Sequence, residues 1–383
     1  MSIVEKTVRW SVSAISLGRE RNDSSDGLGD DNCLKTILLD VDSKIPNLAL
    51  MKISQWLKQN GEEPLLHQMH GGMVLPLEQA SHVWASCVFR WNRPIAIGIQ
   101  THYQSLGIPV HIGGSGVSLQ TKLPDHIESL VPDYSLYGEK EDRAVGFVQR
   151  GCIRKCEFCI VPEKEGRLAD NIYRPLEEWV PQGFDKILLL DNEFAASPHE
   201  QEVLDSVKKH GWKLSITQGY DLRCVTPEKA AKLALHKPYD LKFRERRLYC
   251  AWDYFAIEPY VKKGIETLLK AGFEGREIMC YCLVGFNTSH LQDYYRVHLL
   301  WNKYEVLPFL MRYNMRKDDP FLNALARYTN RGPALYRNVS FIDYCKQKAP
   351  KLVEEATEIV HFCESGEHPN YTISTEQSAE KKQ

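Results

Sequence analysis

The sequence predicts an α/β protein that contains a small doubly wound domain, a partial or complete parallel barrel and a helical C-terminal region. Apolar runs typical of strands alternate with segments of helical periodicity from residue 35 to about 315. This alternation favours parallel strands joined by crossover helices. The second part of the chain repeats it six times with longer helices, which favours a parallel barrel. A chain of 383 residues is long enough for two domains.

Charge and composition exclude several classes of protein. The chain has 48 Lys and Arg against 50 Asp and Glu, a formal net charge of −2. No overall field therefore favours nucleic acid or a membrane surface. The sequence has no apolar run of membrane-spanning length and no basic start followed by an apolar run, which predicts a cytoplasmic protein. The 11 cysteines are an odd number at irregular spacings, which favours metal or redox chemistry over a disulfide framework.

The first domain is predicted at residues 35–118, after a polar N-terminal extension at 1–34. Its strands are predicted at "KTILLDVD", "HVWASCVF" and "IPVHIGGSG", separated by the helical segments "IPNLALMKISQWLKQNGEE" and "RPIAIGIQTHYQSLG". Gly61 is at the expected end of the first helix. The Pro- and acid-containing stretch that follows, 119–143, is predicted to be a linker.

The barrel is predicted at residues 144–315. Its third helix opens with "TPEK", in which Thr226 can cap and Pro227 occupies the first turn. A helical region is predicted at 316–365 and a disordered tail at 366–383. The six strands are predicted at "AVGFVQR", "KILLLD", "KLSITQG", "LYCAWD", "EIMCYCLVGF" and "EVLPFLMRY".

Three cysteines are clustered directly after the first barrel strand. Cys152, Cys156 and Cys159 lie in "RGCIRKCEFCIVPEKEG". Thiolates at this spacing bind zinc or an iron-sulfur cluster, because both prefer soft anionic sulfur. Structural zinc usually takes four protein ligands, and neither a second cysteine pair nor a nearby histidine is present. Three thiolates can hold three irons of a 4Fe-4S cluster and leave the fourth open to a substrate or cosubstrate.

The stretch "GCIRKCEFC", with Phe158 between its second and third cysteines, resembles the radical S-adenosylmethionine (SAM) superfamily. Its flanks resemble the subgroup that contains methylthiotransferases and cobalamin-binding radical enzymes. The resemblance implies a 4Fe-4S cluster whose open iron binds SAM, and an electron donor such as flavodoxin or ferredoxin. It also implies reductive cleavage of a carbon-sulfur bond to give a carbon radical. Zinc binding or a purely structural role is the alternative for these cysteines.

The resemblance also assigns the strand ends to SAM. Family members often carry Gly-Gly-Glu after the second strand to hold the amino group. Here "LLDNEF" lacks the glycines, so Asp191, Asn192 and Glu193 are the candidates. Asp253 in "CAWDYF" matches a family position that contacts the ribose, although an aspartate there can also cap a helix.

Further strand ends supply the remaining candidates of the barrel. Gly285 and Asn287 in "CLVGFNTS" match the place where the family receives adenine, and Gln218 in "QGYDLR" is on the same face. Three charged residues are predicted to serve catalysis or substrate binding because polar groups at the C-terminal ends of barrel strands favour function. The Asp/Arg pair of "QGYDLR" can also be a local ion pair. These residues are Asp221, Arg223 and Arg312.

The N-terminal domain resembles the cobalamin-binding module that precedes the radical barrel in one subgroup. "DVDSKIPNLALMKIS" resembles its first strand and helix, and "HIGGSG" its glycine turn, which makes Gly113, Gly114 and Gly116 candidate contacts. The sequence has no Asp-x-His-x-x-Gly motif to supply a cobalt ligand. A sheet that caps the barrel without a cofactor is the alternative.

These features lead to one main functional hypothesis and three alternatives. The main hypothesis is an enzyme that uses SAM-derived radicals to functionalise a small molecule, with cobalamin-dependent methylation in natural-product biosynthesis as one route. The alternatives are transfer of the aminocarboxypropyl group of SAM, modification of RNA or protein, and a cluster-binding regulatory protein without turnover. Nucleic-acid binding is disfavoured by the neutral charge. Cys250, Cys280 and Cys282 are interpreted as buried apolar residues or contacts to a thiophilic substrate.

Overall fold

A computed structural model describes residues 34–72, 79–138, 142–315 and 318–369. They form two compact units. Unit 1 comprises the described residues up to Gly146 together with Arg154–Asp170 and Arg174–Asp185. Unit 2 comprises Phe147–Ile153, Asn171–Tyr173 and the described residues from Lys186 onward. The predicted extension, apart from Leu34, and the predicted tail from residue 370 onward lie outside the described residues.

Unit 1 contains a four-stranded, fully parallel sheet in the order β2-β1-β3-β4. This order is the beginning of the flavodoxin-type doubly wound order. The sequence correctly predicts β1, β3 and β4 but misses β2, a short edge strand. The elements of unit 1 are β1 (Lys35–Asp40), α1 (Leu48–Gln59), β2 (Leu65–Gln68), β3 (Ala80–Ser86), α2 (Arg93–Ser105), β4 (Val110–Gly113), α3 (Asp125–Glu128), β5 (Arg143–Gly146) and α4 (Val161–Lys164).

Both faces of the sheet of unit 1 are buried, because successive side chains of its strands enter different apolar clusters. Ile37 of β1 joins a cluster that includes Ile99 of α2. Leu38, the next residue, joins a second cluster with Ile53 of α1 and Trp84 of β3. Because successive side chains of a strand point to opposite faces, the two helices cover opposite sides of the sheet.

The segment predicted as a linker packs within unit 1. Asp133 accepts a hydrogen bond from Ser54 at 2.6 Å and pairs with Lys58 at 3.0 Å, both on α1. Tyr137 donates a hydrogen bond to Asp40 at the end of β1 at 2.6 Å. Most of residues 119–143 is therefore a covering layer of the N-terminal sheet. The composition of the segment did not reveal these contacts, because Pro and acidic residues suit a linker and a packed loop equally well.

Unit 2 is also α/β with parallel strands. Strands β6 and β7 pair in parallel, and β9 lies between β8 and β10 in a second parallel set. Tyr220 makes a parallel bridge from the end of β7 to β8. The strands and helices are β6 (Lys186–Leu189), α5 (Glu200–His210), β7 (Lys213–Ile216), α6 (Pro227–His236), β8 (Leu248–Ala251), α7 (Glu258–Lys270), β9 (Ile278–Val284), α8 (His290–His298), β10 (Leu307–Arg312), α9 (Pro320–Thr329), α10 (Pro333–Tyr336), α11 (Phe341–Lys348) and α12 (Val353–Glu364).

Local signals place the helix boundaries of unit 2 as expected. The Thr226 side chain accepts a hydrogen bond from the Lys229 N–H at 3.3 Å, and Pro227 occupies the first position of α6. Helix α7 ends at Lys270, two residues before Gly272, whose φ of +102° lies in the left-handed region. Within the ranges that the structure describes, no helix is both long enough and apolar enough to cross a membrane.

One histidine connects three helical elements of the C-terminal region. His290 of α8 contacts Glu355 of α12 at 2.6 Å and Asp319, the N-cap residue of α9, at 3.0 Å. Burial lowers the pKa of His290, but the hydrogen bonds to the two carboxylates outweigh it and raise the pKa above its ordinary value. The charged form of the imidazole is therefore favoured by folding.

We expect His290→Gln to destabilise the protein more at pH 6 than at pH 9. A folded-state pKa raised above the unfolded value gives stability that is complete below about pH 6.5 and is lost as pH rises through the folded pKa. The loss in melting temperature should be about 3 °C larger at the lower pH. Calorimetry at both pH values measures it, with the exposed His361→Gln as control. An equal loss at both pH values would contradict the ion-pair role.

Candidate active site at the strand ends of unit 2

Two side chains after β6 hold the chain that leads into the cysteine loop. The Asp191 carboxylate accepts hydrogen bonds from the Val148 N–H at 2.8 Å and the Gln149 N–H at 3.0 Å. The Asn192 side chain accepts from the Gly151 N–H at 3.0 Å. Burial raises the pKa of Asp191 to about 7, although both amide contacts lower it. Asp191 and Asn192 thus bind the protein's own backbone, directly before Cys152.

The same arm is fixed from a second side by Gln149. Its amide oxygen accepts from the Ser197 hydroxyl at 3.0 Å, and its amide nitrogen donates to the Asn171 carbonyl at 3.1 Å. Two residues further on, Tyr173 stacks on His199 with ring centroids 3.8 Å apart. A buried, hydrogen-bonded network of this kind restricts the backbone conformation of the arm.

Glu193 is the carboxylate of "LLDNEF" that faces other functional side chains. It is 5% exposed, and its Oε2 lies 3.9 Å from the Cys152 thiol. Ligand atoms of Glu193, Asp221 and Cys224 all lie within 4.8 Å of one another. Carboxylates and a thiol at this separation can share a positively charged group. Sequence reasoning did not single out Cys224, because only the fold brings the end of β7 beside the end of β6.

Asp221 and Arg223 form a close ion pair after β7. The Arg223 Nε lies 2.8 Å from Asp221 Oδ1 and 3.1 Å from Oδ2. Asp221 also accepts from the Arg223 backbone N–H at 2.9 Å. This geometry fits the local ion pair that the sequence left open. It also leaves Asp221 within the group that contains Glu193, so the pair can orient a carboxylate toward a ligand.

Asp253 follows β8 as the fourth-strand residue predicted from the sequence. The Leu283 backbone N–H lies beside the Asp253 carboxylate and lowers its pKa. Burial raises the pKa of Asp253 to about 6, although the guanidinium groups of Arg296 and Arg223 lower it, and Asp221 raises it further. Asp253 is therefore set into the strand-end network and is not an exposed helix cap. A carboxyl group whose pKa is raised to about 6 at a partly buried strand end is typical of functional sites.

The other predicted SAM contacts differ in their surroundings. Gly285 has a φ of +74°, and its N–H donates to Asp293 at 3.0 Å. Asn287 is exposed at the end of the same turn, with a φ of +52°. Gln218 is exposed after β7. Gly285 thus forms a tight turn above β9, whereas the side chains of Asn287 and Gln218 are exposed.

Arg312 lies at the end of β10 beside an aromatic rim. Its guanidinium donates to the side-chain oxygen of Asn323, and no carboxylate partner appears among the described ranges 34–72, 79–138, 142–315 and 318–369. Phe286 and Tyr313 are in edge contact at 4.7 Å, and Tyr254 contacts Phe286 at 5.9 Å. A guanidinium with a neutral partner next to aromatic rings can bind an anionic group on a planar ligand.

The remaining residues of the cysteine loop belong to unit 1. The Cys159 N–H donates to the Cys156 carbonyl at 3.0 Å, which forms a tight turn between the two thiols. The Val161 N–H points at the Cys159 sulfur at 3.5 Å, a contact that favours a thiolate. Cys152, Cys156, Cys159 and the intervening Phe158 are all partly exposed. These thiols are accessible to a metal, unlike the buried cysteines elsewhere in the chain.

The predicted cobalamin contacts form a turn that is filled by the chain's own backbone. A Cβ on Gly114, whose φ is +95°, would lie 2.2 Å from the Cys87 carbonyl oxygen. A Cβ on Gly116 would lie 2.7 Å from the Phe89 carbonyl oxygen. Gly113 accepts a hydrogen bond from the Cys87 N–H at 2.9 Å. The close approach of neighbouring backbone therefore explains why these positions are glycine, and no ligand is needed to explain it.

The crevice beside this turn is likewise occupied by protein groups. In open doubly wound sheets ligands bind at the C-terminal edge, where the strand order reverses, here between β1 and β3. Asp42 is buried at this edge and accepts from the Val88 N–H at 2.7 Å, the Phe89 N–H at 3.0 Å and the Asn92 amide at 2.9 Å. The loop after β3 is thus tied across the usual ligand position.

Replacement of Gly114 with Ala is expected to destabilise unit 1 by about 3 kcal/mol, because the backbone contact and the positive φ both exclude a side chain. Gly107→Ala is the matched control. Gly107 has a φ of +72° but nothing lies within 4 Å of its added Cβ, so about 1 kcal/mol is expected. Chemical denaturation followed by circular dichroism measures both. Equal losses for the two variants would contradict the packing role of Gly114.

Cys250, Cys280 and Cys282 are fully buried within the strands of unit 2. Burial raises the pKa of Cys280 well above its ordinary value, and a hydrogen bond with Cys280 together with burial does the same for Cys282. Protonated, inaccessible thiols behave as small apolar side chains. Their surroundings favour the packing interpretation over contact with a substrate.

A comparison of the chain with protein-family models and with curated proteins finds no match.

Proposed function

We propose that the protein is a radical SAM enzyme that functionalises a small molecule. The observation that carries the proposal is the arrangement after β6. Asp191 and Asn192 hold the arm that enters the cysteine loop, and Glu193 lies 3.9 Å from the thiol of Cys152. An anionic side chain beside a cysteine of a three-cysteine loop is what a cluster with a cationic cosubstrate requires. In the proposed architecture, β6–β10 of unit 2 supply five of the six predicted barrel strands, and the first, β5, belongs to unit 1.

The cysteine loop fits a 4Fe-4S cluster by the chemistry of its donors. Cys152, Cys156 and Cys159 are soft, partly exposed thiols at short spacing, and an N–H group supports the thiolate of Cys159. When bound, such a cluster supplies one electron to the sulfonium of SAM, and a carbon-sulfur bond breaks to give methionine and a 5′-deoxyadenosyl radical. Glu193 would bind the SAM amino group, because its Oε2 lies 3.9 Å from the thiol of Cys152, where the cluster would bind.

The other strand ends would hold the nucleoside and the substrate. Asp253 would accept hydrogen bonds from ribose hydroxyls, and the turn at Gly285 would offer backbone groups to adenine. Arg312 and the rim of Tyr254, Phe286 and Tyr313 would receive the substrate, with an anionic group at the guanidinium. Asp221 and Arg223 would orient groups beside Glu193.

The residues of unit 1 do not fit a corrinoid. The glycine turn is closed by the carbonyls of Cys87 and Phe89, and Asp42 ties the neighbouring loop across the sheet edge. We therefore derive no step through cobalamin, and the SAM-derived radical acts on the substrate directly. We propose that unit 1 resembles the cobalamin-binding module in its fold but does not bind the cofactor.

Anaerobic incubation of the reconstituted protein with SAM and dithionite tests the proposal. One added electron should convert SAM to methionine and, after hydrogen abstraction, 5′-deoxyadenosine. A homoserine-type fragment would instead support transfer of the aminocarboxypropyl group. No cleavage under any reducing condition would overturn the enzymatic proposal. In the cytoplasm, where we propose that the enzyme works, a flavodoxin- or ferredoxin-type protein would replace dithionite.

A further inference from the structure

Arg296 is a fully buried cation directly behind the candidate SAM site. Its exposed fraction is 0%, and it pairs with Asp293, also 0% exposed, one turn earlier on α8. Isolated charges in a protein interior are strongly disfavoured, so an ion pair at this depth needs further hydrogen bonds to persist. Those bonds identify what the pair does.

The hydrogen bonds of Arg296 reach the ends of two neighbouring strands. Its guanidinium donates to the Trp252 carbonyl at 2.6 Å and to the Leu283 carbonyl at 2.7 Å. Asp293 in turn accepts from the Gly285 N–H at 3.0 Å. The planar fork of arginine can bridge several acceptors at fixed angles, which a lysine ammonium cannot do. The pair therefore fixes the backbone at Trp252, directly before Asp253, and at Leu283 of β9. It also fixes the turn at Gly285, which is proposed to receive adenine.

The contacts also place a positive charge toward Asp253. Trp252 precedes Asp253 in the chain, and the backbone of Leu283, whose carbonyl binds Arg296, lies beside the Asp253 carboxylate. The backbone of Leu283 is thus held by Arg296 and faces Asp253. Because Arg296 is fully buried and binds backbone carbonyls, it acts through other residues.

We propose that Arg296 is a positioning residue that aligns the ends of β8 and β9 and places a positive charge toward Asp253, the side chain proposed to bind the ribose of SAM. This inference rests on the proposed function, because it assigns Asp253 to SAM. It adds a residue of α8 that no strand-end motif contains.

The proposal predicts a pH dependence of SAM binding. Burial raises the pKa of Asp253 to about 6, and Arg296 is the largest influence that lowers it. A carboxylate binds hydroxyl donors more strongly than the neutral acid, so affinity should fall as pH drops below about 6. Without the guanidinium of Arg296, the midpoint of this pH-dependent fall in SAM affinity should move to a higher pH. The other titratable or charged groups that face Asp253 are Arg223, Asp221, Cys280 and Cys282.

The test is titration calorimetry of SAM binding to the cluster-loaded protein between pH 5 and 8. The double variant Asp293→Asn with Arg296→Met removes both buried charges and keeps an acceptor for Gly285, so it should fold. We expect its midpoint about one pH unit above that of the wild type. Asp253→Asn should abolish the transition in both backgrounds, which assigns the midpoint to Asp253. An unmoved midpoint in a folded double variant would overturn the proposal.

Arg296→Lys separates charge from geometry and remains informative if the double variant does not fold. It keeps the positive charge, so its midpoint should equal that of the wild type. It loses the fork, so affinity at pH 8 should fall about 10-fold. Wild-type affinity at pH 8 would overturn the alignment role. If the wild-type protein bound no SAM at any pH, the proposed function itself would fail, an outcome distinct from SAM binding with an unmoved midpoint.

Discussion

Cys152→Ala is expected to reduce the iron of the reconstituted protein from about four per chain to less than one and to abolish SAM cleavage. The remaining Cys156 and Cys159 could hold only two irons, and a cluster with two protein ligands is readily lost. Because Asp191 and Asn192 hold the backbone before Cys152 without using its side chain, the variant should fold. Iron analysis, the visible absorption spectrum and product analysis measure the effect.

Cys224→Ala is the matched control for this experiment. Cys224 lies in the same unit, is also partly exposed and approaches the same Glu193 carboxylate. It lies outside the three-cysteine loop, so its removal should leave the iron content unchanged. If Cys224→Ala lost the iron while Cys152→Ala kept it, the metal would belong to the group formed by Glu193, Asp221 and Cys224, and the cysteine-loop interpretation would be wrong.

Much of the fold was predictable because it depends on local patterns. The continuous apolar run of β1, which is buried on both faces, is typical of a parallel strand covered by helices on both sides, and Thr226 with Pro227 marks the start of α6. Strand β2 was missed because "LLHQ" is short and only partly buried. Its parallel pairing with β1 is a long-range contact, and such contacts override weak local preference.

The candidate site was predictable only in outline. The strand ends could be identified from the pattern, so Glu193, Asp221 and Asp253 could be expected on the same edge. The division of labour within "LLDNEF" could not, because it depends on which side chain turns back to the Val148 and Gln149 amides. Arg296 gave no sequence signal either. It lies within a helix, and a charged residue there is usually assigned to the solvent-exposed face.

This division of labour gives the second large effect, since the neighbouring carboxylates Asp191 and Glu193 should fail in different ways when replaced. Asp191→Ala removes the acceptor of two buried N–H groups, each of which costs about 1–3 kcal/mol when left without a partner. The arm before Cys152 should loosen, and the cluster should be lost during reconstitution. Asp191→Asn keeps one acceptor oxygen and should lose only part of the iron.

Glu193→Gln should instead keep the cluster, because it preserves the size of the side chain and leaves the contacts of Asp191 and Asn192 to the arm in place. It replaces a charged acceptor with a neutral one, a loss of roughly 1.5–3 kcal/mol when the partner is the ammonium of SAM. SAM affinity should therefore fall about 10- to 100-fold, measured by calorimetry, with a matching fall in cleavage at low SAM concentration. Full iron content with weak SAM binding in Glu193→Gln, beside iron loss in Asp191→Ala, would separate recognition of the cosubstrate from support of the cluster. The reverse pattern would assign the SAM amino group to Asp191 and contradict the arrangement proposed for the end of β6.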